Sequence, residues 1–303
     1  MSNDDLFAAV EAGGTKFICA FVGRQGHVLE QITLPTLTPG ETFAAVASFF
    51  EAAALRHGRP AAAGLASFGP IELDPSASSF GRILKTPKAG WDGADIRGAL
   101  AAATRAPVAI DTDVNAAALG ENLQGAARDV RNFAYVTVGT GIGVGIMLNG
   151  QVRSPFPHTE IGHIRVPRAP GDLFVGACPF HGDCLEGLAS GPSMHLRWKQ
   201  GAETLETDHP GWAYTSHYIA SLCVNLTYAL RLERIVLGGG VMSAPSLLAR
   251  IREDFMRLMG GYAIGRHAAD PETFLVAPVL VDPSPGLVGA IEMARIAAAK
   301  AFH

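Results

Sequence analysis

The chain repeats its own opening. An apolar run, Leu6–Glu11, breaks at Ala12-Gly13-Gly14-Thr15-Lys16, resumes as Phe17–Val22, and turns at Arg24-Gln25-Gly26 into a third run, Val28–Thr33. From Phe133 the order returns: Phe133–Val138, the glycine turn Gly139-Thr140-Gly141-Ile142-Gly143, then Val144–Leu148 and a turn at Asn149-Gly150 before a third short strand. Short apolar runs bounded by glycine turns predict strands. Two such heads in one chain predict a duplicated α/β fold of two lobes, with a cleft between them into which both hairpins point.

The length permits this. Single cores stop growing near roughly 250 to 300 residues, and a chain of 303 residues that is 48% hydrophobic can fill two. The predicted lobes are residues 1–115, with 287–303 packing back on them, and 116–286. The charge balance, 24 basic against 28 acidic residues for a net −4, has no basic block and argues against nucleic acid or an anionic membrane as the main partner. No apolar stretch approaches the ~20 residues of a membrane span, and Met1–Asp5 carries acids where a secretory signal needs a basic then apolar run. A cytoplasmic address is expected. Cys19 and Cys223 sit in apolar segments and read as buried thiols, so no disulfide is needed.

Between the two heads the pattern gives a helix over Glu41–Arg56, a buried strand Ala62–Ser67 ending in Phe68-Gly69-Pro70, a long loop Glu72–Trp91 and a helix over Ile96–Thr104. A strand Val108–Ile110 then runs into Asp111-Thr112-Asp113-Val114-Asn115, with a helix over Ala116–Gln124. Acids at a strand-to-helix junction have two readings. One is a helix cap, for which a single acid is enough. The other is a general base at the sheet edge, positioned to take a proton from a substrate hydroxyl. The glycine hairpins also divide, between plain turns and backbone cradles for an anion. The Walker spacing is absent, and the second hairpin misses Gly-x-Gly-x-x-Gly in every register, which disfavours a dinucleotide. Later come a helix over Ala213–Leu232, a strand Arg234–Leu237 breaking at Gly238-Gly239-Gly240, a helix over Pro245–Met259, a strand Phe274–Leu280 and a final helix from Gly286 to Phe302. The glycine triplet serves either close ligand approach or packing.

One stretch has the composition of a metal site. His158-Thr159-Glu160-Ile161-Gly162-His163 is followed after fourteen residues by Cys178-x2-His181-x2-Cys184 and Glu186. Two thiols and two imidazoles, from His163, Cys178, His181 and Cys184, complete a tetrahedral set for Zn²⁺ and leave no vacancy for water, so the metal is expected to be structural. His163 would then hold the metal through one ring nitrogen and offer the other to a ligand, with Glu160 and Glu186 alongside. His158 reads as an ordinary surface residue.

Taken together, the ordered set Glu11-Ala-Gly-Gly-Thr-Lys16, Thr86-Pro-Lys-Ala-Gly-Trp91, Asp111 to Glu121, Gly139 to Gly143, Glu160 to His163 and Cys178 to Ser190 resembles the ROK family of sugar kinases and repressors, and within it the bacterial fructokinase branch. The resemblance runs from Ala9 to about Arg295. It implies an actin-like ATPase fold of two ribonuclease-H-like lobes that close over ATP and sugar, usually as a homodimer. It implies transfer of the γ-phosphoryl group of Mg-ATP to a hexose hydroxyl, with Asp113 as the base and Asn115, Glu160, His163 and Glu186 as sugar contacts. Gly13, Gly14, Thr15 and Lys16, with Gly139, Thr140, Gly141 and Gly143, would surround the phosphates, and Gly238, Gly239 and Gly240 the adenosine. Lys85, Ala89 and Thr159 depart from the family pattern and keep mannose, glucose and N-acetylmannosamine open beside fructose. A repressor would need a DNA-binding helix-turn-helix before the first strand, and only ten residues precede Glu11.

Overall fold

Every side chain of β1 (Phe7–Ala12) except Glu11 is buried, so this strand borders protein on both faces. It pairs antiparallel with β2 (Lys16–Val22), and β2 antiparallel with β3 (Val28–Pro35). On its other side β1 runs parallel to β4 (Ala62–Ser67), and β4 parallel to β5 (Val108–Thr112), giving the order β3-β2-β1-β4-β5. The structure is a computed structural model and describes residues 6–23, 26–153 and 158–301. Met1–Asp5, two residues of the expected turn at Arg24–Gly26, and Phe302 of the final helix lie outside those residues.

Alternate residues of the first sheet fill two cores. Val10, Phe17, Phe21 and Leu65 pack with Phe50 of α1 (Pro39–His57), Leu100 of α2 (Ile96–Thr104) and Trp91. Phe7, Ala9, Ile18 and Ala20 pack on the other face against Leu287, Ala290, Ala294 and Ala298 of the C-terminal helix. That helix comes so close that a Cβ at Gly64 would lie 1.8 Å from the Ala290 carbonyl oxygen, so glycine is required there. After β5 the chain forms α3 (Asp113–Gln124).

The second sheet has the same design. β6 (Phe133–Val138) pairs antiparallel with β7 (Ile142–Leu148), and β7 with β8 (Gln151–Val152). β6 also runs parallel to β9 (Arg234–Gly238), and β9 to β10 (Leu275–Val276), for the order β10-β9-β6-β7-β8. Each sheet is thus a three-strand antiparallel meander whose first strand also starts a parallel run. The duplication expected from the repeated hairpins is the topology observed. Its core includes Ala134, Val136 and Val138, with side chains from α4 (Leu185–Ala189), α5 (Gly191–Trp198), α6 (Gly211–Leu230) and α7 (Leu247–Met259). Two single-turn helices, α8 (Gly265–Ala268) and α9 (Pro271–Phe274), precede β10, and α10 (Pro285–Ala301) is the C-terminal helix.

The chain divides into two compact units, Met1–Glu121 with Ser154–Thr159 and Leu280–His303, and Asn122–Arg153 with Glu160–Val279. α3 runs unbroken across the expected boundary at 115, which carries the first unit on to Glu121. This helix also starts three residues earlier than its apolar pattern indicated, because Thr112 Oγ1 accepts the Asn115 N–H at 3.2 Å and caps it. The expected strand Phe274–Leu280 shrinks to β10. Phe274 closes α9, and Pro278 has no N–H with which to extend a ladder. The long loop before Trp91 has no regular element, yet it is pinned by bridges Ile71 to Ile83 and Arg82 to Asp95. No helix among the described residues is long and apolar enough to cross a membrane.

Candidate active site

In the first unit, parallel strands end on a common edge, since Ala12 pairs with Ser67 and Ser67 with Thr112. The glycine hairpin leaves that edge after Ala12. It is closed by Gly13 N–H donating to the Lys16 carbonyl at 2.9 Å and braced by Thr36, whose hydroxyl donates to Gly13 O at 2.8 Å and whose N–H donates to Thr15 O at 3.0 Å. Thr15 and Lys16 are exposed, and a Cβ at Gly14 would meet nothing within 4 Å. The tip therefore offers open backbone to a ligand.

Asp113 stands one residue past the aligned row. Because Thr112 caps the helix, the Asp113 carboxylate is released from that duty and accepts the next N–H, Val114, at 2.9 Å. Burial pushes its pKa up to about 7; the Val114 N–H opposes this, the negative Glu11 adds to it, and His158 opposes it. Glu11 is itself raised, chiefly by burial, against the Ser284 hydroxyl that donates to it, the Lys16 charge and the Leu287 N–H. Asn115 is buried, and its amide donates to Asp111 Oδ1 at 2.7 Å. His158 is not the surface residue expected from the sequence. It is only 9% exposed, and its Nε2 lies 3.2 Å from where a Cβ on Gly69 would stand. Gly69 is 89 residues away in the chain, which is why no local pattern reveals this burial.

In the second unit the glycines gather at the ends of β6 and β9, where Thr137 pairs with Gly238. Gly139 O accepts the Gly191 N–H at 2.8 Å. Gly239 has φ +95° and lies against β6, so a Cβ there would stand 2.5 Å from the Val138 carbonyl oxygen. Around Gly240 there is open space. Thr140 and Gly141 form the turn tip, whereas Gly143 lies within β7, opposite Thr137.

The four proposed metal ligands come together. His163 ends a single 3-10 turn (Ile161–His163), Cys178 and Gly182 close a tight bridge, and Cys184 begins α4. The ligand atoms all lie within 4.8 Å of one another. His163 Nδ1 is 3.4 Å from Cys184 Sγ and 3.8 Å from Cys178 Sγ, and Cys178 Sγ is 3.6 Å from His181 Nδ1. Tetrahedral zinc with ~2.3 Å bonds to sulfur and ~2.0 Å to nitrogen sets neighbouring ligands about 3.3–3.8 Å apart. The donor set fits that ion. The other ring nitrogen of His163 faces Glu186 Oε1 at 3.9 Å and Glu160 Oε2 at 4.0 Å. Glu186 Oε2 accepts the Ile142 N–H at 2.9 Å, which ties this carboxylate to the glycine turn.

The ROK family profile matches residues 7–296. The chain belongs to the ROK family. It is 40% identical over 292 residues to the fructokinase of Pediococcus pentosaceus, covering 96% of this chain and 98% of that protein. It is 38% identical over 302 residues to the fructokinase of Zymomonas mobilis, covering 98% and 99%. Among solved structures, a ROK family glucokinase from Streptomyces griseus, in complex with glucose and AMPPNP, superposes with a TM-score of 0.74 at 25% identity and covers 96% of this chain and 99% of its own. The two five-stranded sheets are those of a ROK kinase, with the actin-like ATPase fold.

Two residues to which no sequence motif assigns a role, Glu11 and His158, act on the Asp113 carboxylate here. Glu11 had a legible signal, as the one polar residue inside an otherwise apolar strand.

Proposed function

We propose that this ROK kinase is an ATP-dependent fructokinase, forming ADP and D-fructose 6-phosphate from ATP and D-fructose. The observation that carries the mechanism is Asp113, a carboxylate with a pKa of about 7 at the edge where three parallel strands end. A base is most effective when its pKa lies near the working pH. Asp113 takes the proton of the fructose 6-hydroxyl as that oxygen bonds to the γ-phosphorus, and the bond from phosphorus to the bridging oxygen of ADP breaks. Charge spreads over the transferred oxygens in such a step, so positioning and electrostatics do most of the work.

The open hairpin Gly13-Gly14-Thr15-Lys16 and the turn Gly139-Thr140-Gly141, with Gly143 behind it, are assigned to the phosphates, and Gly238, Gly239 and Gly240 to the adenosine. Mg²⁺ accompanies the phosphates and neutralises charge there. Glu11 and Asp113 suit a site that receives a cation, because each is held above the usual carboxylate range. Glu160, His163, Glu186 and Asn115 are assigned to fructose, each carboxylate being able to accept two hydroxyl protons. A zinc ion held by His163, Cys178, His181 and Cys184 fixes the loop that carries three of them. Four unpaired cysteines suit a reducing cytoplasm, and a homodimer is the expected assembly.

The test is an ADP-release assay over fructose, mannose, glucose and N-acetylmannosamine. Fructose should give the highest kcat/KM. A higher value for any other hexose would overturn the fructose assignment, and no sugar-dependent ADP release with any of them would overturn the kinase reading.

A further inference from the structure

The motif Thr86-Pro-Lys-Ala-Gly-Trp91 has no part in the mechanism above, yet the fold places its lysine on the phosphate hairpin. Lys88 Nζ donates to the Gly14 carbonyl at 2.6 Å, linking residues 74 apart. We propose that Lys88 is a further catalytic residue, whose ammonium contacts the oxygens of the transferred phosphoryl group; this rests on the kinase reading.

The position of Lys88 is fixed from behind. Trp91 is completely buried, rings of Phe17, Phe43 and Phe68 lie 5.2–5.8 Å from its own, and its indole N–H donates to Leu37 O at 3.0 Å. The Trp91 backbone N–H returns to Lys88 O at 3.2 Å, and Lys88 N–H donates to Thr86 Oγ1 at 3.3 Å. Phe17 is the second residue of β2, directly behind the glycine turn. The aromatic anchor and the hairpin therefore share one core, and the lysine is held across the tip that they support.

A structural strut does not need this residue type. The hairpin is already closed by its own Gly13 to Lys16 bond and braced twice by Thr36. A neutral donor would satisfy the Gly14 carbonyl as well as a cation does. The ammonium has three donors and spends one on Gly14, and among the described residues no carboxylate pairs with it. Two N–H groups and a full positive charge thus remain beside the open backbone of Gly14. The ligand that completes them is an anion with several oxygens, which a phosphoryl group in transfer is. Lys88 belongs to the same unit as Asp113, on the chain between β4 and β5. It donates hydrogen bonds and no proton: the hydroxyl proton goes to Asp113 and the bridging electrons leave with ADP.

Three variants separate this from a strut. Lys88→Met removes the charge and the donor, Lys88→Gln keeps a neutral donor for Gly14, and Lys88→Arg keeps the charge. If the ammonium stabilises the transferred group, Met and Gln should both lower kcat about 100-fold, with the fructose KM within about threefold of wild type and Arg restoring part of the loss. Thermal melts on the same samples show that each variant is folded. If Met fails to fold, Gln and Arg decide the question. Fructose 6-phosphate binding, measured by calorimetry, should weaken in Gln while fructose binding does not. A Lys88→Gln enzyme within about threefold of wild-type kcat, or one that binds fructose 6-phosphate normally, would overturn the proposal and leave the kinase reading intact. A wild type that releases no ADP with any sugar would overturn both.

Discussion

Replacing Asp113 with Asn removes the proposed base at almost constant shape, and the amide oxygen can still accept the Val114 N–H. Two consequences follow, with opposite signs. Activity should fall 10²–10⁴-fold in kcat, the usual contribution of a positioned base. Stability should rise, and only at higher pH. An unfolded Asp ionises near its ordinary 3.8, whereas folded Asp113 holds its proton to about 7, mainly because burial disfavours the charged form. A carboxyl raised in the folded state contributes fully below pH 3.8, and that contribution is lost as pH climbs to about 7. A shift of about 3 units at ~1.4 kcal/mol each sets a ceiling of about 4 kcal/mol. Water reaches this half-buried side chain and local groups relax around the charge, so about 1–3 kcal/mol is the expected difference. For units of this size that is roughly 3–8 °C in Tm. Melts of both proteins from pH 4 to 8.5, without nucleotide, should show the Asn variant gaining on wild type through pH 7 and levelling off above it. The wild-type kcat/KM for fructose should rise with pH over the same window, with an apparent pKa that belongs to the Asp113 and Glu11 pair rather than to one residue. A Tm difference independent of pH would refute the burial argument, and an Asn variant keeping more than about a tenth of wild-type kcat would refute the base.

Two further outcomes are expected. Protein purified without chelator should hold one zinc per chain by elemental analysis, and Cys178→Ser should lose it together with several degrees of Tm; a metal-free wild type of normal stability would remove the ligand assignment. Gly239→Ala should cost more than about 2 kcal/mol in denaturant melts, since it adds a Cβ at φ +95° and 2.5 Å from the Val138 carbonyl oxygen. An unchanged melt would mean that β6 can move aside.

The fold was legible where burial follows local pattern. β1, β2, β6 and β7 are apolar runs that a glycine turn cuts in two, and their repetition alone fixed two sheets of one design. The cluster of two histidines and two cysteines was legible because three of them lie within seven residues, Cys178 to Cys184, and the fourth, His163, stands 15 positions before Cys178. What stayed hidden depends on distant neighbours. His158 is buried by Gly69, Lys88 is placed by a tryptophan that seats in a core with Phe17, and Asp113 is freed by a threonine whose capping role has no signature beside two better-known capping acids. The short β10 differs in kind, since Pro278 within 274–280 lacks the N–H a longer ladder needs and is a local signal in the sequence itself.

The two copies of the repeat join their meander to the next parallel strand differently, and among the described residues the candidate metal cluster lies in the link of the second copy. In the first copy the link from β3 to β4 is α1, with 19 residues and its own buried face of Val46, Phe50 and Ala53. In the second copy the link from β8 to β9 includes residues 164–184, which form no helix or strand. Its first half is held by Asp172, which accepts the Tyr218 hydroxyl at 2.5 Å and pairs with Arg197 at 3.0 Å, both charged side chains being at most 7% exposed. Beyond that point apolar support is thin: Phe174 packs on the core under the Arg197 guanidinium, while Leu173, Val175 and Phe180 are 91%, 81% and 52% exposed. An unsupported loop of this length would pay the full entropy of ordering with little apolar burial to offset it. A four-ligand zinc site would supply that ordering through coordination bonds, where α1 supplies it through packing. It would also do what packing cannot, because a metal held through Nδ1 would fix the His163 ring with Nε2 toward Glu160 and Glu186. On this argument His163→Cys, which keeps a zinc ligand but removes the second nitrogen, should retain metal and Tm while raising the fructose KM at least tenfold. Zinc retention with an unchanged KM would separate the metal from sugar recognition altogether.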